Sequence, residues 1–285
     1  MKTLIIGGSR FIGPLIIKEL KKKHHSITVF NRGNIKKEFG KGVIYVQGDR
    51  DKGFLGKKNK FDVVIDTCAY NGRKTKKALQ QLKFDYYINI GTAASYKKTD
   101  IFPLTEESAL GEWPLWGNYN RGKIECEAVL KKSGIKYASI RPVYILGPKN
   151  HVNRENFIYS HLKERKPLIL PGNGQAIIQF VFVYDVAKLV VFLAERKISG
   201  VFNCCGDDLI TLQGLVKEMA KIMGVKPIIK FNPKADGYKF NEKEFPFANE
   251  NFVCCNDKLR DLGIKFTPLL KGLRSDYHNY YKNII

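Results

Sequence analysis

Tyr119 and Lys123 form a Tyr-x-x-x-Lys motif in a segment with a helical pattern, residues 119–132. Residues four apart on a helix are neighbours, so both side chains lie on the same face. An ammonium group beside a phenol favours the phenolate, which lets Tyr119 exchange a proton near neutral pH. Thr92 follows an apolar strand, and its hydroxyl can hydrogen-bond the same substrate oxygen. These residue types predict acid–base chemistry at a substrate oxygen.

The spacing of this motif is not specific on its own. Three further tyrosines also precede a lysine by four residues: Tyr70, Tyr159 and Tyr184. Position along the chain favours Tyr119, because it follows the fifth predicted strand and the segment IGTAASY, residues 90–96. Open α/β sheets bind ligands at the carboxyl ends of their strands, which is where Thr92 stands. We therefore predict Thr92, Tyr119 and Lys123 as the catalytic residues, and Lys123 can also bind the cofactor ribose.

A glycine-rich turn follows the first predicted strand. The apolar run Leu4–Ile6 leads into two glycines, and a helical pattern begins near Gly13. A strand, a tight glycine turn and a helix N-terminus together bind the pyrophosphate of a dinucleotide, because backbone N–H groups face the phosphates. Arg10 occupies the place of the usual middle glycine. The predicted cofactor-binding residues of this turn are Gly7, Gly8, Ser9, Arg10, Phe11, Ile12 and Gly13.

The residues after the second strand indicate the type of nicotinamide cofactor. A carboxylate at this position would bind the ribose 2′-hydroxyl, but the sequence has Asn31 and Arg32. Arg32 and Arg10 can instead pair with a 2′-phosphate, which favours NADP over NAD. Further cofactor contacts are predicted after the second, third and fourth strands: Asn31, Arg32, Asp49, Arg50, Thr67 and Ala69.

These residues need a parallel sheet to position them, and the pattern of the first half predicts one. Apolar strands are predicted at Thr3–Ile6, Ile27–Phe30, Val43–Val46, Val63–Ile65, Tyr86–Ile90 and Tyr137–Ile140. Helical segments lie between most of them, as strand–helix alternation with right-handed crossovers requires. The regular alternation of strands and helices ends after Pro148. We predict an α/β fold of two interleaved parts. The dinucleotide-binding domain contains residues 1–148, and residues 176–206 return to it. The α+β substrate lobe contains residues 149–175 and 207–285.

Composition limits the location and the redox state. The 285 residues contain no apolar run of about 18 or more, and Gly7 and Gly8 interrupt the N-terminal apolar stretch. We expect a cytoplasmic protein with no membrane-spanning segment. Four of the six cysteines form two vicinal pairs, a spacing that suits neither a disulfide framework nor a zinc site. We predict reduced thiols and no metal, with a metal bridging the two pairs as the alternative.

The chain is strongly basic, with a formal net charge of +22 that comes mostly from lysine. The lysines are spread along the chain, for example at 36–37, 57–58 and 131–132. A basic surface can bind nucleic acid or acidic substrates. Lysine, isoleucine and asparagine are all abundant, however, so a genomic bias that produces a solvated basic surface explains the charge equally well.

Together these residues resemble an extended short-chain dehydrogenase/reductase of the NAD(P)-dependent epimerase/dehydratase family. The resemblance covers nearly the whole chain and includes the glycine turn, residues 91–96, the Tyr119–Lys123 pair, RPVYILGP at 141–148 and the segment 179–187. It implies a Rossmann fold, a catalytic triad of Thr92, Tyr119 and Lys123, and a nicotinamide contact from Pro142. The loop GGSRFIG and the segment FNRG are similar to an atypical subgroup that includes chloroplast stem-loop-binding proteins, which are associated with RNA.

The resemblance implies hydride transfer between a nicotinamide and a hydroxyl or carbonyl carbon, as in the epimerisation or dehydration of a nucleotide sugar. Ile178 departs from this pattern, since many sugar-nucleotide enzymes have an arginine there for the substrate diphosphate. Two alternatives stay open: an RNA-binding protein on the same scaffold, and an NADP-binding regulator without turnover. The resemblance also implies a homodimer that forms through the helices near 74–83 and 119–132.

Overall fold

Strands and helices alternate along the first half of the chain, and the computed structural model describes residues 1–35, 39–54 and 59–285. The strands are β1 (Lys2–Ile6), β2 (Ser26–Asn31), β3 (Val43–Gln47), β4 (Lys60–Asp66), β5 (Lys83–Ile90), β6 (Tyr137–Pro142), β7 (Tyr144–Leu146), β8 (Leu168–Pro171), β9 (Ile177–Phe182), β10 (Gly200–Cys204), β11 (Leu209–Thr211) and β12 (Ile229–Asn232). The helices are α1 (Ile12–Lys22), α2 (Gly72–Gln81), α3 (Gly117–Lys132), α4 (Glu155–Lys163), α5 (Val183–Arg196), α6 (Leu212–Met223), α7 (Asp257–Asp261) and α8 (Leu269–Asn279).

The main sheet is parallel. Within the described residues its strands lie in the order β3-β2-β1-β4-β5-β6-β10, and every neighbouring pair is parallel. From β1 the chain runs outward to β2 and β3 on one side, and from β4 it runs outward to β5 and β6 on the other. Between β1 and β4 the connections therefore diverge and leave a crevice at the carboxyl ends of these strands. This topology confirms the predicted Rossmann-type α/β fold and places the ligand crevice beside the glycine turn.

The central strands form because their residues are almost all apolar, as strands covered on both faces must be. Residues 4–6 of β1 and 63–65 of β4 are at most 3% exposed. Ile16, Ile17 and Leu20 of α1 recur at helical spacing and are buried. Burial of each such side chain contributes about 1.5–3 kcal/mol. The strand ends that carry the site residues therefore belong to a rigid sheet.

The chain divides into two compact units. The first contains Met1–Lys97, Glu106–Pro142 and Tyr184–Cys204, and the second contains Lys98–Thr105, Val143–Val183 and Cys205–Ile285. The sequence placed residues 176–183 with the dinucleotide-binding domain, but β9 pairs with β7 and β11 in a separate three-stranded sheet. Strand β9 therefore belongs to the second unit, and only α5 and β10 return to the first.

The second unit is built on small sheets and an aromatic core. Strands β11-β9-β7 form one sheet, and β12-β8 form another. The ring of Tyr144 meets Phe247 and Phe252 edge-on, with ring centroids 5.1 and 5.6 Å apart. Such edge-to-face pairs contribute about 0.5–1.5 kcal/mol each beyond their buried area. In the described part of the chain, no helix has the length and apolar character needed to cross a membrane.

Candidate active site

The glycine turn packs against β4 too closely for larger residues. Gly7 has φ +95°, and a Cβ there would lie 2.4 Å from Thr67 Oγ1. A Cβ on Gly13 would lie 2.4 Å from Gly8 Cα. The Thr67 hydroxyl donates to Ile6 O (2.9 Å) and accepts from Gly8 N (3.2 Å), so it ties the turn to the end of β4. Close packing therefore requires glycine at position 13, against the main chain of Gly8, and at position 7, against the Thr67 side chain.

The N-terminus of α1 suits an anionic group. Phe11 occupies the N-cap position with φ 43°, and no side chain caps the helix. The first turn, which begins at Ile12, contains no acidic residue. The partial positive charge of the helix dipole is therefore not neutralised from within the helix, and Arg10 beside it is exposed. This environment fits the pyrophosphate of a dinucleotide, which the residues of the turn would hold through backbone N–H groups.

Asn31 at the end of β2 organises the edge of the crevice. Its amide donates to Gly7 O (3.0 Å) and to Ser9 Oγ (2.9 Å). Its oxygen accepts from Gly33 N (2.9 Å) and from the Tyr45 hydroxyl (3.1 Å). All of these bonds are made within the protein, so the Asn31 side chain positions the turn. Arg32, which follows it, is exposed.

Arg50 and Asp66 form a buried ion pair. Both terminal guanidinium nitrogens donate to the Asp66 carboxylate, at 2.8 and 2.7 Å, and Nη2 also donates to Lys74 O. Burial opposes ionisation of Asp66, but Arg50 outweighs it and holds the pKa of Asp66 below its ordinary value. The sequence proposed Arg50 as a cofactor ligand. We instead assign its guanidinium to the support of β4, because the side chain is only 7% exposed and faces Asp66.

The other predicted residues near β3 and β4 are mostly turn and packing residues. Asp49 Oδ1 accepts from Asp51 N at 2.9 Å, which closes the turn after β3. Ala69 is fully buried. Burial raises the pKa of the Cys68 thiol to about 11, so this cysteine is neutral at physiological pH. All six cysteines lie in the described residues and are free thiols.

Helix α3 brings the predicted catalytic residues to the end of β5. Lys123 Nζ donates to Ile90 O at 2.7 Å, and Asn120 Nδ2 donates to Ala94 O at 2.6 Å. These two contacts lie on either side of Thr92, whose Oγ1 accepts from Ala94 N at 3.2 Å. Tyr119 is 42% exposed, and its ring centroid lies 5.8 Å from Lys123 Nζ. The structure thus brings α3 and the Thr92 turn together.

Lys123 is unusual because its ammonium is buried. The residue is 3% exposed, and this burial lowers the pKa of Lys123. Nearby Cys126 and Tyr70 raise the pKa, but they offset the effect of burial only in part. The ring of Tyr70 lies even nearer to Nζ than that of Tyr119, at 5.1 Å. In the sequence Tyr70 was only one of the chance matches to Tyr-x-x-x-Lys. The sequence signal that indicates a role for Tyr70 is its position four residues beyond Asp66, the last residue of β4. The chain order of the sheet reverses between β1 and β4, and ligands bind at such a point.

A buried polar network supports the other end of this helix face. Glu127, one turn beyond Lys123, pairs with Arg141 of β6 through a 2.5 Å contact to Nη2. Arg141 Nη1 also donates to the Tyr96 hydroxyl (2.9 Å), which donates to Asn203 Oδ1 (2.6 Å). The network ties α3, the segment after β5 and β10 together. It ends beside Pro142, the buried last residue of β6 and the predicted nicotinamide neighbour.

The sequence of the chain is similar to a family model and to known proteins. The family model for the NAD dependent epimerase/dehydratase family matches residues 3–205. The chloroplast stem-loop binding protein of 41 kDa b from Arabidopsis thaliana is 33% identical, over 97% of this chain and 78% of that protein. A UDP-glucose 4-epimerase from Lactobacillus helveticus is 28% identical, over 52% of either chain.

The fold of the chain is also similar to those of solved epimerase structures. The crystal structure of UDP-glucuronic acid 4-epimerase from Bacillus cereus in complex with NAD superimposes with a TM-score of 0.82, at 20% identity. The match covers 100% of this chain and 99% of that one. The family model spans the glycine turn, Thr92 and the Tyr119–Lys123 pair. The chain therefore belongs to the NAD-dependent epimerase/dehydratase family.

Proposed function

We propose that the protein is an NAD(P)-dependent epimerase or dehydratase that acts on a nucleotide sugar, with Tyr119 as the acid–base group. The observation that carries this proposal is the buried Lys123 ammonium, held between Ile90 O and the ring of Tyr119. The family match and the similarity to a UDP-glucose 4-epimerase support the substrate class. A non-catalytic NADP-binding regulator could use Lys123 for the cofactor ribose, but it would not need the exposed Tyr119 beside that lysine.

The chemistry follows from the groups at the end of β5. A bound nicotinamide supplies a hydride acceptor and donor for the substrate carbon. Tyr119 takes the proton of the substrate hydroxyl and later returns it. The charge of Lys123 favours the phenolate of Tyr119. Thr92 uses one lone pair to accept from Ala94 N, and its hydroxyl hydrogen donates to the substrate oxygen.

The cofactor end favours NADP. Asn31 stands where a carboxylate would bind a ribose 2′-hydroxyl, and its amide is committed to the glycine turn. The absence of that carboxylate removes one negative charge that would repel a 2′-phosphate, and the exposed Arg32, which follows Asn31, is a candidate cation for it. Arg10 is the second candidate cation, and NAD is the alternative cofactor.

The decisive experiment compares Tyr119→Phe with Tyr184→Phe. Tyr184 is a matched control because it also precedes a lysine by four residues on a helix, with Lys188 Nζ 5.9 Å from its ring. Each variant is titrated with NADP⁺ and NAD⁺ and assayed on a panel of UDP-sugars by NMR of the products. We expect Tyr119→Phe to bind cofactor normally and to lose about 10²–10⁴-fold in turnover. Unchanged turnover in Tyr119→Phe would refute the mechanism.

A second candidate function is RNA binding, favoured by the 33% identity to a stem-loop binding protein and by the net charge of +22. The segment 226–243 of the second unit interleaves exposed aromatic and basic side chains. Phe231 is 46% exposed and Tyr238 is 59% exposed. The exposed lysines of this segment are Lys226, Lys230, Lys234, Lys239 and Lys243. The lysine pairs at 36–37 and 57–58 lie outside the described residues.

Aromatic side chains that stack on unpaired bases, next to lysines that contact phosphates, suit the loop of a stem-loop. The test is a gel shift with a stem-loop RNA at several salt concentrations. We expect Lys230→Gln to lower the salt dependence by about one phosphate contact and Phe231→Ala to weaken binding without changing that slope. Lys217→Gln on α6 is the control. Absence of any shift at low salt would eliminate this function.

A further inference from the structure

Two tyrosine rings, not one, flank the buried ammonium of Lys123. Its Nζ lies 5.1 Å from the ring centroid of Tyr70 and 5.8 Å from that of Tyr119. The two rings are 6.4 Å apart and tilted by 52°. Tyr70 comes from the loop after β4, whereas Tyr119 and Lys123 come from α3. The cluster therefore joins two elements that are far apart in the sequence.

A glycine on α3 makes this approach possible. A Cβ on Gly122 would lie 2.0 Å from Tyr70 O, so any larger residue would push the loop away from the helix. Two residues further along, Gly72 N donates to Glu125 Oε2 at 3.1 Å. Asn71 accepts from Lys74 N and caps α2, which fixes the loop from its other side. Tyr70 is thus held against α3 by its main chain, while the residue as a whole remains 53% exposed.

The ring of Tyr70 is a suitable cover for a cation. The face of an aromatic ring attracts an ammonium group within about 6 Å, more strongly when water is excluded. Burial raises the pKa of Tyr70, and the charges of Lys123 and Arg10 oppose that rise, so the phenol is the neutral form in this cluster. The charged or titratable groups that act on Lys123 come from α3 and from β4 with its loop: Cys126, Tyr70, Asp66, Cys68 and Tyr119.

We propose that Tyr70 is a positioning residue whose ring covers the Lys123 ammonium and keeps it out of water, beside the Tyr119 ring. The contact that does this is made by the ring face and not by the hydroxyl. A dry ammonium acts on the neighbouring phenol more strongly than a solvated one, because water screens its charge. The catalytic consequence rests on the proposed function, but the covering of Lys123 does not.

The first test measures the lysine directly and needs no substrate. Trace acetylation with acetic anhydride, followed across pH by peptide mass spectrometry, yields the limiting reaction rate and the titration midpoint of Lys123. In Tyr70→Ala we expect the limiting rate to rise about tenfold and the midpoint to move up towards about 10.4, the value of a solvated lysine. Tyr70→Phe keeps the ring and should change neither quantity. Tyr238→Ala, which removes an exposed tyrosine of the second unit, is the control.

Tyr70→Leu retains apolar bulk without a π face, so it gives an answer even if the alanine variant does not fold. Its midpoint should fall below that of the wild type, because the ammonium stays out of water but loses the attraction of the ring face. An unchanged rate and midpoint in both Tyr70→Ala and Tyr70→Leu would overturn the proposal. So would a change in Tyr70→Phe as large as that in Tyr70→Ala, since the hydroxyl would then be the active group.

The second test is the pH profile of turnover. If the ring keeps Lys123 dry, the alkaline limb reports loss of its charge, and Tyr70→Ala should move this limb to higher pH while lowering kcat. Tyr70→Phe should keep the profile of the wild type. An alkaline limb that stays in place in Tyr70→Ala would contradict the proposal. If the wild type shows no turnover, the proposed function fails, but the acetylation measurement still decides the role of Tyr70.

Discussion

Arg50→Met should strongly destabilise the protein, because it leaves the carboxylate of Asp66 buried without its cation. Asp66 is fully buried, and after the substitution it would keep two hydrogen bonds, from the Tyr87 hydroxyl (2.6 Å) and from Cys68 N (3.1 Å). Removal of one partner of a buried pair typically costs about 3–5 kcal/mol. In a chain of this size that corresponds to a fall in Tm of about 5–8 °C.

The sign of the pH dependence should reverse in this variant. In the wild type the pKa of Asp66 is below its unfolded value, so its contribution is present above about pH 3.9 and is lost as the pH falls through the folded pKa. Without Arg50, we expect burial to outweigh the hydrogen bonds from Tyr87 and Cys68 N and to raise the pKa of Asp66. The folded state then binds the proton more tightly than the unfolded chain, and acidification from pH 7 should recover part of the lost stability.

Thermal unfolding of both proteins from pH 7 to pH 4 measures both effects. Lys60→Met is the matched control, because Lys60 makes a 2.7 Å ion pair with Asp85 while its side chain is 67% exposed. A solvent-exposed pair of this kind contributes little to stability, because water and salt screen its charges. If Arg50→Met were no more destabilising than Lys60→Met, or if its deficit were constant with pH, the assignment of Arg50 to a structural pair would be wrong.

Three further outcomes are expected. Gly13→Ala should abolish dinucleotide binding in a calorimetric titration, because its Cβ would meet main-chain atoms at 2.4 Å, whereas Gly42→Ala, with nothing within 4 Å, should bind normally. Arg32→Ala should weaken NADP⁺ about 10–100-fold and leave NAD⁺ unchanged, and equal effects on both would contradict a 2′-phosphate contact. Burial raises the pKa of Glu155, so the contribution of this residue to stability falls as pH rises above about 4.3. The free energy of unfolding of Glu155→Gln relative to the wild type should therefore increase from pH 4 to pH 8 in denaturant unfolding, against a constant loss from the one hydrogen bond that the glutamine NH2 cannot accept.

Several features of the site were predictable because they depend on residues close in the sequence. The apolar runs of β1 and β4 could form only buried strands, and the glycines after β1 permit a turn that other residues would strain. The four-residue spacing of Tyr119 and Lys123 places them on one helix face, whatever the rest of the fold does. Family membership and the parallel sheet were predictable from the same short motifs.

Other features depended on partners that are distant in the sequence. The apolar pattern of β9 fits either sheet, and only its pairing with β7 and β11 assigned it to the second unit. The sequence predicted Arg50 as a cofactor ligand, because a charged residue does not indicate its partner, and only the tertiary structure places Asp66 against it. The cofactor preference, the cytoplasmic location and the homodimer stay predictions.

The sequence by itself determined the sheet and the glycine turn, since both follow from local patterning, and it predicted Tyr119 and Lys123 as the acid–base pair. Tertiary structure alone decided that the ammonium of Lys123 is buried. Its burial arises from Ile90 O on one strand and from Tyr70 on a loop that reaches α3 only because Gly122 has no side chain. Desolvation is a property of everything packed around a group, and no spacing of residues along one helix can specify it.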